Sequence, residues 1–238
     1  MSDTLSWGLA GLLLASGMAY SVRARKLTAA AAGVGGVLGL AIFAGAGWAG
    51  LGLLVLFFGL GTGASAWRVA DKRRLGLAEA NKGRRTTGQV LANAGVAAAL
   101  GLVAWRYPAA APLARLMLAG SLGAATADTL ASELGNVYGR RYYNILTFRP
   151  DTRGENGVVS LEGTLLGLAG NAVVAGFYCL CFGWGAALAW LLLAGTAGNL
   201  LDSVLGATLE RRGVLGNDAV NTLNTLAGAL VAGSLASL

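Results

Sequence analysis

Lysine and arginine recur in every second gap between the apolar segments of this 238-residue chain, and that alternation constrains its fold more than any other feature. Eight apolar segments are read at about 5–20, 27–44, 50–67, 88–105, 112–135, 161–181, 186–209 and 218–238. Arg23, Arg25 and Lys26 follow the first. Arg68, Lys72, Arg73, Arg74, Lys82, Arg84 and Arg85 follow the third. Arg140, Arg141, Arg149 and Arg153 follow the fifth, and Arg211 and Arg212 the seventh. Of the 18 Lys and Arg, only Arg106, just after the fourth segment, and Arg115, near the start of the fifth, fall on the other side. Basic residues of membrane proteins collect in cytoplasmic loops. The pattern therefore predicts four cytoplasmic loops and both termini outside. Some segments fall short of the ~20 residues of a usual span, so seven to eight transmembrane helices are expected. A mean hydropathy of +0.63 and 12% charged residues agree with an all-α polytopic integral membrane protein. The first segment has no basic residues before it and reads as a retained span, not a cleaved leader.

Close helix packing is expected from the 38 glycines. Gly35/Gly39, Gly59/Gly63 and Gly163/Gly167 have the small-xxx-small spacing that lets helix backbones approach. Cys179 and Cys181 lie in an apolar segment and read as small hydrophobic filler.

Acids inside such segments need a reason, because a charge at the centre of a membrane helix costs about 2.5–3.5 kcal/mol. Asp128 and Glu133 lie in the fifth segment, Asp202 in the seventh, and Asp218 opens the eighth. On the expected topology the fifth and seventh segments both run toward the cytoplasm. Asp128 and Asp202 then sit at similar depth, roughly 10 Å before their segment ends at 1.5 Å per residue. Asp218 opens on the same side, next to the basic loops. Asp128/Ser132, Thr129/Glu133 and Asp202/Gly206 are each four apart and share a helix face. ADTLAS and LDSVLGA echo one another around the two aspartates. Asn93, Asn171 and Asn199 add amides, and Asn217, Asn221 and Asn224 form a stripe beside Asp218.

The chain has no histidine, which excludes histidine bases and histidine metal sites. A metal would be held by oxygen, favouring Mg²⁺. Two loops carry phosphate-binding character. Lys82, Arg84 and Arg85 lead into Gln89 and Asn93. Arg149 and Arg153 precede Gly154, Asn156, Gly157 and Ser160 at a helix entry, where backbone amides favour anions. Cations beside carboxylates able to hold Mg²⁺ are the parts of a phosphoryl-transfer site.

KGRRTTGQVLANAG, ADTLASELG, TRGENGVVSLEGTLLG, GNLLDSVLGATLE and NDAVNTLNTLAG, spread from Lys82 to Gly228, carry a resemblance. In content and order they resemble the integral membrane phytyl-phosphate kinases and the related transmembrane protein 19 proteins, grouped as domain of unknown function 92. One departure is GENGVVS, with Glu155 and Val158, where the family reads nearer to GTNGGVS. The resemblance implies one membrane domain over 1–238, with anchoring helices in 1–67 and a catalytic core in 82–238. It implies transfer of a terminal phosphate from a nucleoside triphosphate, CTP being the expected donor, to an isoprenyl monophosphate.

Carried over by motif, Asp128, Glu133, Asp202 and Lys82 would be catalytic. Arg84, Arg85, Gln89, Asn93, Arg153, Asn156, Gly157, Ser160, Ser203, Asn217 and Asn221 would bind nucleotide and phosphate. Asp128, Glu133, Asp202 and Asp218 would hold Mg²⁺. The implied partners are the nucleotide, an isoprenyl-phosphate lipid and membrane lipids, with no nucleic acid. The implied location is a bacterial inner membrane with the site facing the cytoplasm. On the residues alone two other readings stand: a polyprenol or phytol kinase acting on the free alcohol, and an ion-coupled transporter built on buried acids.

Overall fold

The computed structural model describes residues 3–77 and 83–238. Its elements are α1 (Asp3–Arg23), α2 (Ala29–Ala66), α3 (Val69–Arg74), α4 (Thr87–Arg106), α5 (Ala111–Tyr138), α6 (Leu161–Phe182), α7 (Ala187–Leu205) and α8 (Asn217–Leu235). A 3-10 turn (Pro108–Ala110) leads into α5, and a π-helical turn (Gly206–Glu210) extends α7. Between α5 and α6 the loop forms a small antiparallel ribbon, β1 (Tyr143–Asn144) with β2 (Val158–Val159).

Local chemistry sets the helix starts. Thr28 caps α2 by accepting from Ala31 N at 3.1 Å, and Ser160 caps α6 by accepting from Gly163 N at 3.1 Å. Thr86 and Gln89 form a reciprocal capping box at α4.

The sequence expects a break between its second and third apolar segments, and Gly47 supplies it. Its φ of 56° and ψ of −145° suit glycine alone. The chain folds back there. A Cβ on Gly39 would lie 3.4 Å from Leu54 Cδ2, whereas fifteen residues of straight helix would separate them by about 22 Å. The two arms of α2 are therefore antiparallel.

The basic segments gather at one end of the bundle. Arg85 N donates to Lys26 O at 2.9 Å, Trp67 Nε1 to Tyr138 OH at 2.8 Å, and Arg211 Nε to Asn156 O at 2.6 Å. At the opposite end Arg115 Nε donates to Gly45 O at 2.7 Å. The separation of charge read from the sequence is thus a physical separation in the fold.

Helix α5 is central and touches α2, α4, α6, α7 and α8. The main core joins Leu118 and Leu122 of α5 to Ile42, Leu53, Val174 and Leu191. Among the described residues, five helices are long and apolar enough to cross a membrane: α1, α2, α4, α6, and α7 with its extension to Glu210. Helices α5 and α8, with 28 and 19 residues, have the length but carry too many polar residues to join that group. Leu12, Val37, Leu161, Leu180 and Leu193 are exposed on the outer faces. Such outward aliphatic side chains suit a hydrocarbon surround.

The three glycine pairs behave differently. A Cβ on Gly163 would lie 2.7 Å from Ala131 O, and one on Gly167 2.6 Å from Ala127 O, so this pair is the α5–α6 seam. Gly39 faces Leu14, whereas nothing lies within 4 Å of a Cβ on Gly59 or Gly63. Gly163→Ala and Gly167→Ala are expected to destabilise the fold by about 1–3 kcal/mol each, because backbone carbonyls must move. Gly59→Ala and Gly63→Ala should be neutral. Unfolding of all four variants in one detergent checks this, and equal stabilities would refute the seam.

Candidate functional site

Beneath the basic end lies a cavity of about 220 Å³ between α4, α5, α6, α7, α8 and the α5–α6 loop. Asp128 and Asp202 meet there from α5 and α7, within hydrogen-bonding reach of one another, and Glu210 is the next carboxylate. Asp202 Oδ2 is buried and has no hydrogen-bond partner among the described residues. Two carboxylates face to face, shielded from water, do not both carry charge unless a cation lies between them; otherwise they share a proton.

Amides and hydroxyls complete the wall. Gln89, Asn93, Asn156, Gly157, Ser160, Ser203, Asn217 and Asn221, all expected from the sequence, line the cavity, as does Arg85. Part of this polarity is already committed. Gln89 Oε1 accepts from Thr86 N at 2.9 Å and Asn93 Nδ2 donates to Gln89 O at 2.8 Å. Ser132 bonds back to the Asp128 and Thr129 carbonyls at 2.9 and 3.2 Å, not to the Asp128 carboxylate.

The expected set of four metal-binding acids is not brought together. Among the described residues no three acidic or thiol side chains are grouped to hold a metal ion by themselves. Glu133 lines the cavity, but its oxygens are engaged: Ser65 Oγ donates to Oε1 at 3.0 Å and Lys72 Nζ donates to Oε2. Lys72 is 1% exposed and also donates to the Ala64 and Ser65 carbonyls at 3.0 and 2.9 Å. Asp218 lies outside the lining and packs on Gly88, where any Cβ would collide with its carboxylate. What remains is the pair Asp128 and Asp202. That is a sufficient protein contribution for Mg²⁺, which is commonly held by one or two carboxylates together with substrate phosphates.

Arg84 and Arg153 are also absent from the wall. Arg153 stacks over the Tyr142 ring, 5.5 Å from its centroid. Lys82 lies outside the described residues.

The loop over the cavity is built by hydrogen bonds. Gly154 and Gly157 adopt φ of 83° and 74°, and a Cβ on Gly206 would lie only 2.9 Å from Gly157 N. The glycine pair lets the loop rest on the π-helical turn. Asp151 is the clamp. It accepts from Thr152 N at 2.7 Å, Arg211 Nη2 at 2.8 Å and Asn144 Nδ2 at 3.3 Å. The Thr152 amide first, then Arg211, holds its carboxyl below the usual aspartate range. Its contribution is therefore complete above the ordinary aspartate pKa and is lost only as pH falls through the lowered value. Tyr142 donates to the Gly135 and Gly139 carbonyls at 3.0 and 2.9 Å. Burial raises its phenol above the usual value, with Arg153 opposing, so it stays a neutral donor.

Sequence reasoning missed Glu210, Asn136 and Tyr142 as lining residues. The first two carried a signal: Asp202, Gly206 and Glu210 continue one four-residue stripe, as do Asp128, Ser132 and Asn136. Tyr142 carried none. Among the inner amides, Asn199 lines the cavity, while Asn171 Nδ2 ties α6 to the Leu191 and Leu192 carbonyls at 3.1 and 3.0 Å. Asn224 is fully buried, and neither amide atom has a partner among the described residues.

Beside the polar cavity an apolar groove of about 760 Å³ runs between α2, α5 and α6, lined by Leu60, Leu130, Leu134, Leu165 and Leu166. The Trp67–Tyr138 hydrogen bond crosses it at the basic end.

The chain has relatives of known sequence. It is 36% identical over 201 residues to the uncharacterized membrane protein sll0875 of Synechocystis sp., covering 82% of this chain and 77% of that protein. It is 34% identical over 203 residues to the chloroplastic protein VTE6 of Arabidopsis thaliana, covering 82% of this chain and 61% of VTE6. Over 111 residues it is 38% identical to the uncharacterized membrane protein MJ0933 of Methanocaldococcus jannaschii, 47% of each chain. No solved structure matches it. The model of integral membrane protein DUF92 matches residues 12–229, nearly the whole chain, and the protein belongs to that integral membrane family.

Proposed function

We propose that this protein is a membrane-embedded kinase that moves the terminal phosphate of a nucleoside triphosphate, CTP being the expected donor, onto an isoprenyl monophosphate such as phytyl phosphate. The observation that carries the reading is the facing pair Asp128 and Asp202, with Asp202 Oδ2 unpartnered among the described residues, in a cavity rimmed by amides and Arg85. Kinship with VTE6 and the family resemblance supply the direction.

In the reaction an oxygen of the acceptor phosphate bonds to the terminal phosphorus of the nucleotide. The bond to the bridging oxygen breaks, and a nucleoside diphosphate leaves. The acceptor, with a second pKa of about 6, is already largely anionic at neutral pH and needs no strong base. A histidine-free site is adequate for it. Catalysis then consists of alignment and charge neutralisation. Arg85 supplies fixed positive charge at the cavity wall. Gln89, Asn93, Asn217 and Asn221 orient phosphate oxygens. Asp128 and Asp202 would hold Mg²⁺, whose charge would lower the repulsion between phosphate groups. The apolar groove beside the site offers leucine surface to an isoprenoid tail.

On this reading the chain crosses the membrane eight times, the arms of α2 counting separately. The basic end faces the cytoplasm of a bacterium, and both termini lie outside. A free alcohol as acceptor must lose a proton during attack and would require a carboxylate base. Purified protein given Mg²⁺, labelled nucleotides and either phytol or phytyl phosphate separates the two. Labelled phytyl diphosphate is expected, and preference for phytol would overturn the choice of acceptor.

A further inference from the structure

A second cavity, of about 190 Å³, lies on the other side of Arg85. Arg25, Lys26, Arg73 and Arg85 line it together with the hydroxyl residues Thr62 and Ser65, and no acidic residue is among its described lining residues. Asp71, the acid nearest Arg73 in sequence, is bound to Arg68 at 2.7 Å. Four cations around one space, two of them at its solvent-exposed rim, give it a positive potential that attracts an anion.

The backbone holds the cluster in place. Arg85 N donates to Lys26 O at 2.9 Å, and Thr28 N to Arg85 O at 3.2 Å, so the α1–α2 turn and the approach to α4 run side by side. Arg25 sits in the left-handed region, with φ 56°, at the end of α1, while Lys26 N and Leu27 N close the turn onto Ser21 O at 2.8 and 3.2 Å. Glycine is the usual occupant of that position, and an arginine there is strained. Arg85 passes into both cavities because Gly61 is bare: a Cβ there would lie 2.6 Å from Nη2.

We propose that Arg25, Lys26, Arg73 and Arg85 form a second anion site that takes the phosphate of a lipid, the acceptor of the transfer, while the carboxylate cavity takes the nucleotide. The assignment of the lipid as acceptor rests on the kinase reading; the phosphate site itself does not. The two cavities meet at Arg85, which then touches both reacting groups, and the acidic side repels an acceptor phosphate that arrives without a cation.

The test uses the intact protein in detergent, with geranylgeranyl phosphate, phosphatidylglycerol and inorganic phosphate as binding probes, and a fluorescent CTP analogue as the nucleotide probe. Arg25→Gly suits the left-handed turn and should fold as well as the parent; Arg73→Gln alters an exposed helix position, and Arg212→Gln is the charge-matched control. Both pocket variants are expected to bind geranylgeranyl phosphate at least tenfold more weakly, with nucleotide binding and thermal unfolding unchanged. If the parent binds only phosphatidylglycerol or inorganic phosphate, and the pocket variants lose that binding, the phosphate site stands and the acceptor assignment falls. If Arg25→Gly and Arg73→Gln bind every phosphate probe as tightly as Arg212→Gln does, the proposal is overturned.

Discussion

Asp128→Asn and Asp202→Asn are expected to fold and insert normally and to lose at least about a hundredfold in transfer rate. Each swap removes a charge from a low-dielectric site at nearly constant volume. Stability should therefore hold or rise slightly, since two facing carboxylates repel without a cation between them. Activity depends on that same charge. An amide is a poorer ligand for a hard cation, and loss of preorganised charge stabilisation commonly costs about 10²–10³ in rate. Asn171→Ala is the contrast. It removes bonds from α6 to the Leu191 and Leu192 carbonyls, so it should lower stability by about 1 kcal/mol and leave the rate near normal. Rates and unfolding measured on the same preparations decide it. Near-native turnover in both aspartate variants would make these carboxylates structural.

The second large effect is expected at Lys72. This lysine is 1% exposed, paired with Glu133 and bonded to two carbonyls at the end of α2. Lys72→Met leaves Glu133 with no ionic partner, and removing one member of a buried pair destabilises by about 3–5 kcal/mol. Glu133→Gln strands the lysine in the same way. The double variant Lys72→Met/Glu133→Gln should recover most of the loss, because no buried charge is left uncompensated. Unfolding in mixed micelles gives the three free energies. A double variant as unstable as the sum of the singles would show that the pair is not a coupled unit.

These residues also show what the sequence makes legible. The alternation of basic gaps and apolar segments anticipates which loops share one end of the bundle. The matching depth of Asp128 and Asp202 anticipates that they line one cavity, because helices of known rise running the same way bring equal depths together. The break at Gly47 is anticipated as a gap, but its fold-back depends on a glycine conformation that the sequence does not advertise. Lys72 is invisible for another reason. In the sequence it is one of seven cations in a basic run, and only the short helix α3 turns it inward to a partner 61 residues away. That burial also ties up Glu133, which the sequence places in the metal set, in bonds to Lys72 and Ser65. Tyr142 reaches the cavity through the β1–β2 ribbon, a tertiary feature without local pattern. Glu210 and Asn136 were legible as continuations of the two aspartate stripes.

The most direct test of the account is transfer itself. Protein reconstituted in liposomes, with Mg²⁺, terminally labelled CTP and geranylgeranyl phosphate, should yield labelled geranylgeranyl diphosphate and one CDP per lipid converted. Absence of labelled lipid with every nucleotide and every isoprenyl phosphate, together with substrate-driven ion flux across the same liposomes, would contradict it.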